Sequence, residues 1–217
     1  MGTIASRRKI AEVSPRLAPL PGVEFYLQTV SAVLNRLPFE QINQVTDVLW
    51  NAYRESRAAY LFGNGGSAAL ASHCACDFGK GTIINGNRRF RVLALTDNVP
   101  LMTAWANDAR YDDIFAEQLR SFLQPDDVVF AISGSGNSPN VLNALAAARE
   151  IRAFTVGLTG FQGGKMKALC DLCVVVPSDN MQVIEDAHLS VTHSIFTSFR
   201  QRLCETIPDT PGHQGRH

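Results

Sequence analysis

Five short apolar runs alternate with helix-period segments through the middle of this chain, and that alternation admits few folds. AAYLFG at 58–63, RFRVLAL at 89–95, DVVFAIS at 127–133, AFTVGLT at 153–159 and LCVVVP at 172–177 read as strands. Strand–helix–strand units cross over right-handed and lay parallel strands into one sheet with helices on both faces. Ahead of them, Val23, Tyr26, Leu27, Val30, Val33 and Leu34 share one helical stripe. Ile42, Val45, Leu49 and Tyr53 share a second, after a start signal at Pro38. The expected architecture is therefore α/β, with a five-stranded, mostly parallel sheet and an N-terminal helical hairpin. A length of 217 residues suits one domain. We place it at 19–206, between a basic, mobile tail at 1–18 and a flexible Pro/Gly tail at 207–217.

Composition removes several function classes. Lys and Arg total 20, Asp and Glu total 20, and 18% of residues are charged. Such a balance does not suit a basic nucleic-acid face or a polybasic membrane surface, so neither partner is expected. No apolar stretch is long enough to span a bilayer and no signal-peptide core precedes the domain, which makes a cytoplasmic protein the expectation. Five cysteines are an odd number and do not form a disulfide framework. Cys170 and Cys173 have CxxC spacing without a second pair, and buried free thiols are the simpler reading.

In doubly wound sheets the ligand lies beyond the carboxyl ends of the strands, which directs attention to two glycine-rich loops. The first, Gly63-Asn64-Gly65-Gly66-Ser67-Ala68, fits the dinucleotide pattern GxGxxA but lacks the acidic residue expected about 20 positions later. An NAD-dependent oxidoreductase is disfavoured accordingly. The second, Ser133-Gly134-Ser135-Gly136-Asn137-Ser138-Pro139, joins a strand to a helix. Glycines let backbone N–H groups turn towards an anion, the helix adds its positive end, and serine hydroxyls add neutral donors. The plainer alternative, Ser138 as an ordinary N-cap, accounts for one serine and leaves two over.

Acid, base and metal candidates lie on two helices. His73 and Asp77 are four residues apart, about 40° around the helix axis, and Glu185 and His193 are eight apart, about 80°. Two histidines and two carboxylates suit a divalent metal or separate proton-transfer groups. An ordinary helix-surface contact explains His73 with Asp77 taken alone, and His188 reads as a core histidine. Asn107-Asp108 closes a helix, with a hydroxyl-binding carboxylate as its functional reading.

Taken in order, GNGGSA, His73, NVPLMTAWANDARYDDIF, ISGSGNSPNVLNAL, VGLTGFQGGKM and EDAHLSVTH resemble the phosphoheptose isomerase family of the sugar isomerase (SIS) domain proteins, over about residues 20–205. The resemblance implies a flavodoxin-like three-layer sandwich, assembled as a homotetramer with active sites at subunit interfaces and one zinc ion per subunit. It implies conversion of sedoheptulose 7-phosphate to an aldoheptose 7-phosphate in heptose biosynthesis. Ser133, Gly134, Ser135 and Ser138 take the phosphate-loop positions, with Gly134 where the family often has Thr. Asn64, Gly65, Gly66 and Ser67 line the sugar, Asp108 and Glu185 contact it, and His73, Asp77, Glu185 and His193 form the metal set. His193, Asp77 and Glu185 are the implied catalytic groups. Asp77 replaces a family glutamate and Glu185 a family glutamine, which reads as a compensating swap or as the mark of a different sugar. A non-catalytic SIS scaffold, or a sugar-phosphate sensor, is the competing class.

Overall fold

The structure, a computed structural model, describes residues 22–84 and 88–206. The expected 1–18 and 207–217 tails lie outside them. The helical hairpin is α1 (Gly22–Leu34) and α2 (Phe39–Arg54), and Pro38 stands at the α2 N-cap as its φ restriction favours. The two helices differ in how they use their stripes. Those of α2 bury Ile42, Val45, Leu49 and Tyr53, whereas α1 buries Val33 and leaves Val23 and Leu27 79% and 60% exposed.

The strands are β1 (Ala58–Gly63), β2 (Arg91–Ala94), β3 (Val128–Ser133), β4 (Phe154–Thr159) and β5 (Leu172–Val175). They form one sheet in the order β2-β1-β3-β4-β5 with every pairing parallel, which extends the expected "mostly parallel" to the whole sheet. Strands β1 and β3 are buried along their full length and read as unbroken apolar runs, as central parallel strands do. The edge strands β2 and β5, each paired with one neighbour, are shorter than their apolar runs.

Between the strands run α3 (Gly66–Gly81), α4 (Val99–Asp108), α5 (Ala116–Phe122), α6 (Pro139–Ile151) and α7 (Met166–Leu169), and α8 (Met181–Glu205) follows β5. One core lies between the sheet and α2, α3 and α8, and a second between the sheet and α5, α6 and α7. Together they complete the three-layer sandwich. None of the helices described is long and apolar enough to cross a membrane.

Two features place the site. Strand order reverses between β1 and β3, so the crevice at their carboxyl ends lies where the two glycine-rich loops leave the sheet. Phe78 of α3 packs edge-on against Phe196 and Phe199 of α8, with ring centroids 5.5 and 5.2 Å away. A side chain at Gly81 would overlap Phe196, so glycine there lets α3 and α8 close together. That contact brings the polar faces of the two helices opposite one another.

Candidate active site

The i, i+4 spacing on α3 puts His73 and Asp77 on one face, and α8 presents His193 to it. His73 Nε2 and His193 Nε2 are 2.8 Å apart across 120 residues of sequence. Asp77 Oδ2 lies 3.4 Å from the first and 3.7 Å from the second. The surface-contact reading of His73 and Asp77 omits this third member. One nitrogen, one nitrogen and one carboxylate oxygen all within 4.8 Å can hold a single cation. Two imidazoles and a carboxylate match the three-ligand zinc sites that keep a coordination position open for substrate, so the donor set fits the expected metal.

Glu185, the fourth expected ligand, stands outside this cluster. It sits over the first loop: a Cβ built on Gly66 would lie 3.0 Å from its Oε1 and 3.2 Å from its Oε2. Glycine at 66 therefore makes room for the carboxylate. Gly66, Ser67, His73, Glu185, His188 and His193 all line one cavity of about 380 Å³.

His188 in that wall is 1% exposed, and neither ring nitrogen makes a hydrogen bond of good geometry among the described residues. Burial pushes its pKa down to about 4, a fall that the nearby Thr159 backbone only partly offsets. It is a neutral core histidine near pH 7, as its sequence context suggests.

The second loop is built differently. Ser138 occupies the α6 N-cap, yet its hydroxyl makes no capping bond and lies 3.4 Å from the Ser133 hydroxyl. Ser135 Oγ accepts one long bond from the Asn137 N–H at 3.3 Å. The Ser133 and Ser138 hydroxyls thus meet at the N-terminus of a 13-residue helix without capping it, and Ser135 belongs to the same turn. Gly136 has φ +63°, and a side chain there would overlap the Gly163 carbonyl. Gly134, where the resemblance leads one to expect Thr, faces Met181 of α8, whose sulfur would lie 2.5 Å from a Cβ.

Two contributors escaped the sequence reading. The segment after β4 braces the second loop: Gly160 N–H donates to Gly134 O at 2.9 Å, Met166 N–H to Gly136 O at 3.0 Å and Lys165 N–H to Asn137 Oδ1 at 3.0 Å. Its signal was the Gly163-Gly164 pair following a strand. Asn140 and Tyr111 both hydrogen-bond Asn64 of the first loop, contacts between distant residues that no local pattern announces. Asp108 closes α4 as expected, exposed, with Oδ1 accepting from Asn107 Nδ2 at 2.8 Å, and it does not line the cavity.

Known proteins are similar to this chain in sequence and in fold. The sequence signature of the SIS domain matches residues 25–160. A phosphoheptose isomerase of Rhodospirillum rubrum is 39% identical over 75% of this chain and 86% of its own. One from Helicobacter hepaticus is 33% identical over 88% and 91%. The solved phosphoheptose isomerase of Neisseria gonorrhoeae superposes with a TM-score of 0.76 at 27% identity, covering 81% of this chain and 95% of that one.

Proposed function

The chain belongs to the phosphoheptose isomerase family of SIS-domain proteins, and on that premise we propose that it interconverts sedoheptulose 7-phosphate and a D-glycero-D-heptose 7-phosphate. The observation that carries an enzyme rather than a scaffold is the His73–Asp77–His193 cluster, whose polar atoms lie within 4.8 Å of one another beside a cavity. A scaffold or sensor needs the phosphate loop and has no use for this cluster.

Ketose–aldose conversion moves a proton from C1 to C2 through an enediol and needs placed acid and base groups. Ser133, Ser135 and Ser138 bind the phosphate with the α6 N-terminus, so binding energy at the remote end orients the reacting carbons. His193, Asp77 and Glu185 are the groups available for proton transfer, and one whose donor atom is engaged by a metal cannot take the proton at that atom. Ser67 and the first-loop backbone line the sugar, with Asp108 as a further hydroxyl contact. A zinc ion held by His73, Asp77 and His193 would supply Lewis-acid polarisation of a sugar oxygen. Glu185, outside the cluster, then stays free to carry a proton.

An active site shared between subunits of a homotetramer is part of this reading. Met181 touches the phosphate loop and His193 belongs to the cluster, twelve residues along one helix, or about 18 Å at 1.5 Å per residue. A phosphorylated seven-carbon chain with bonds of about 1.5 Å spans roughly 10 Å. The phosphate loop of one chain is thus better paired with the cluster of another, while Glu185, about 6 Å along α8 from Met181, remains within reach in its own chain. The uncovered apolar side of α1 and the half-exposed histidines support such an assembly. A cytoplasmic location and a role in heptose biosynthesis complete the proposal.

The test incubates purified protein with sedoheptulose 7-phosphate, with and without chelator, and follows the aldose by NMR. Turnover that chelator abolishes and zinc restores supports both function and metal. No turnover under any metal condition returns the chain to the scaffold class. His193→Ala should lower turnover by at least about 10³-fold while leaving the melting temperature unchanged, as loss of a proton-transfer group does. Activity within a few-fold of wild type removes His193 from the chemistry.

A further inference from the structure

Two amide side chains tie the first loop to the phosphate loop. Asn64 Nδ2 donates to Asn140 Oδ1 at 2.8 Å, and Asn140 Nδ2 donates back to Asn64 Oδ1 at 2.8 Å. The result is a closed two-bond contact between side chains 76 residues apart. Tyr111 Oη adds a third bond to Asn64 Oδ1 at 3.0 Å, and Val141 N–H adds one to Asn140 Oδ1 at 3.0 Å. Each carbonyl oxygen therefore receives two donors, which is its capacity. Asn64 keeps one N–H for a ligand and spends the rest of its side chain on the clamp.

The clamp's position matters more than its strength. Asn140 is 1% exposed and follows Ser138 by two residues at the start of α6. Asn64 precedes Gly66 by two, and Gly66, which opens α3, carries the Glu185 carboxylate above it with Ser67 next in the helix. A side chain at Gly63 would overlap the Ile132 carbonyl, so the two strand ends are also in close approach. One end of the clamp is thus the phosphate anchor, and the other is the group of residues that meets the far end of the sugar.

From this we infer that the Asn64–Asn140 pair, steadied by Tyr111, is a gauge of substrate length. It sets the separation between the phosphate loop and the Ser67–Glu185 end of the cavity, and so selects the number of carbons that brings the carbonyl end to those residues. Removing or adding one carbon moves that end by about 1 Å, a displacement that can lower a rate about 10²-fold. Asn140 and Tyr111 act through Asn64 and the loop, and are positioning residues. The inference rests on the sugar-phosphate reading above, and its test separates the two.

The probes are the seven-carbon and five-carbon polyol phosphates, which lack a carbonyl and cannot turn over, with inorganic phosphate as the anchor control. Their dissociation constants are measured by calorimetry on wild type, Asn140→Ala and Tyr111→Phe. Wild type should prefer the seven-carbon ligand by at least about tenfold, as expected when one group is misplaced in a fixed site. Asn140→Ala, which removes both halves of the pair, should bring that ratio within about twofold of unity, and Tyr111→Phe should reduce it about threefold, in proportion to neutral hydrogen bonds lost. Inorganic phosphate should bind all three proteins alike. Equal weakening of every ligand, or a ratio unchanged in both variants, or no preference in wild type, overturns the gauge. Should Asn140→Ala fail to fold, the half-exposed Tyr111→Phe decides. Turnover of sedoheptulose 7-phosphate by wild type is read separately: its absence overturns the isomerase assignment while the polyol ratio still judges the gauge.

Discussion

The two glycine-rich loops leave neighbouring parallel strands and begin helices, yet they are built on opposite plans. In the first, the side chains are committed: Asn64 is locked to Asn140 and Tyr111, and Ser67 is buried. In the second, the backbone is committed to the brace from the β4 loop, and the serine hydroxyls are left available. A loop that must present hydroxyls to a dianion needs a rigid backbone, because each donor works only if it is already aimed. A loop that must hold a distance needs side chains that reach across to another element.

The left-handed glycines are the sharpest way to break this contrast. Gly136 (φ +63°) faces the Gly163 carbonyl, whereas Gly65 (φ +55°) has nothing within 4 Å of a Cβ. Gly136→Ala should combine backbone strain with overpacking, lose about 3–5 kcal/mol in urea unfolding and abolish phosphate binding. Gly65→Ala, at φ +55° and ψ −122°, should show the strain alone, about 1–3 kcal/mol. Equal losses would mean that the brace does not distinguish the loops.

Next in size is the hydroxyl set. Ser133→Ala with Ser135→Ala should weaken phosphate binding by about 10²–10³-fold, two hydrogen bonds to a charged group, with the melting temperature nearly unchanged. Mixing that double variant with His193→Ala should restore part of the turnover if each site draws its two ends from different chains. No recovery after subunit exchange would place both ends in one chain.

A pH titration offers a smaller effect. The second loop contains hydroxyls and amides only, while the cavity beside the first contains buried His188. Its folded pKa of about 4 lies below the ordinary value of 6.5. Below pH 6.5 the unfolded chain takes up a proton that the native protein refuses. Stability therefore falls as pH drops from 6.5 towards 4, by about 1.4 kcal/mol per unit and about 3 kcal/mol in all. Urea unfolding of His188→Gln should show a flatter slope across the same window. Parallel slopes would remove His188 as the source.

Much of this was legible in the linear pattern. The runs at 58–63, 127–133 and 153–159 became β1, β3 and β4 within a residue, because buried central strands are continuously apolar and need no partner to be recognised. The edge strands β2 and β5 are shorter than the runs at 89–95 and 172–177, although Leu95 and Val176, just beyond them, still donate to the neighbouring strands. On α1 the stripe foretold the helix but not its uncovered side. Among the candidate residues, spacing pairs His73 with Asp77 and the fold adds His193 to them, while Glu185, expected in the same set, lies outside that group. Angular position on one helix says which way a residue faces and nothing about how far along the axis the partner lies.

Local chemistry, then, was settled by the chain itself: the period of apolar residues, the glycines that permit left-handed turns, and the serines at a helix start are properties of neighbours in sequence. Tertiary structure alone decided that His73 meets His193, that Glu185 rests on Gly66, and that Asn64 clasps Asn140. These contacts join residues 76 to 120 positions apart. Their geometry depends on sheet order, on the approach of α3 to α8 and on the packing of Phe78 between them, all of which arise only when the whole core is assembled.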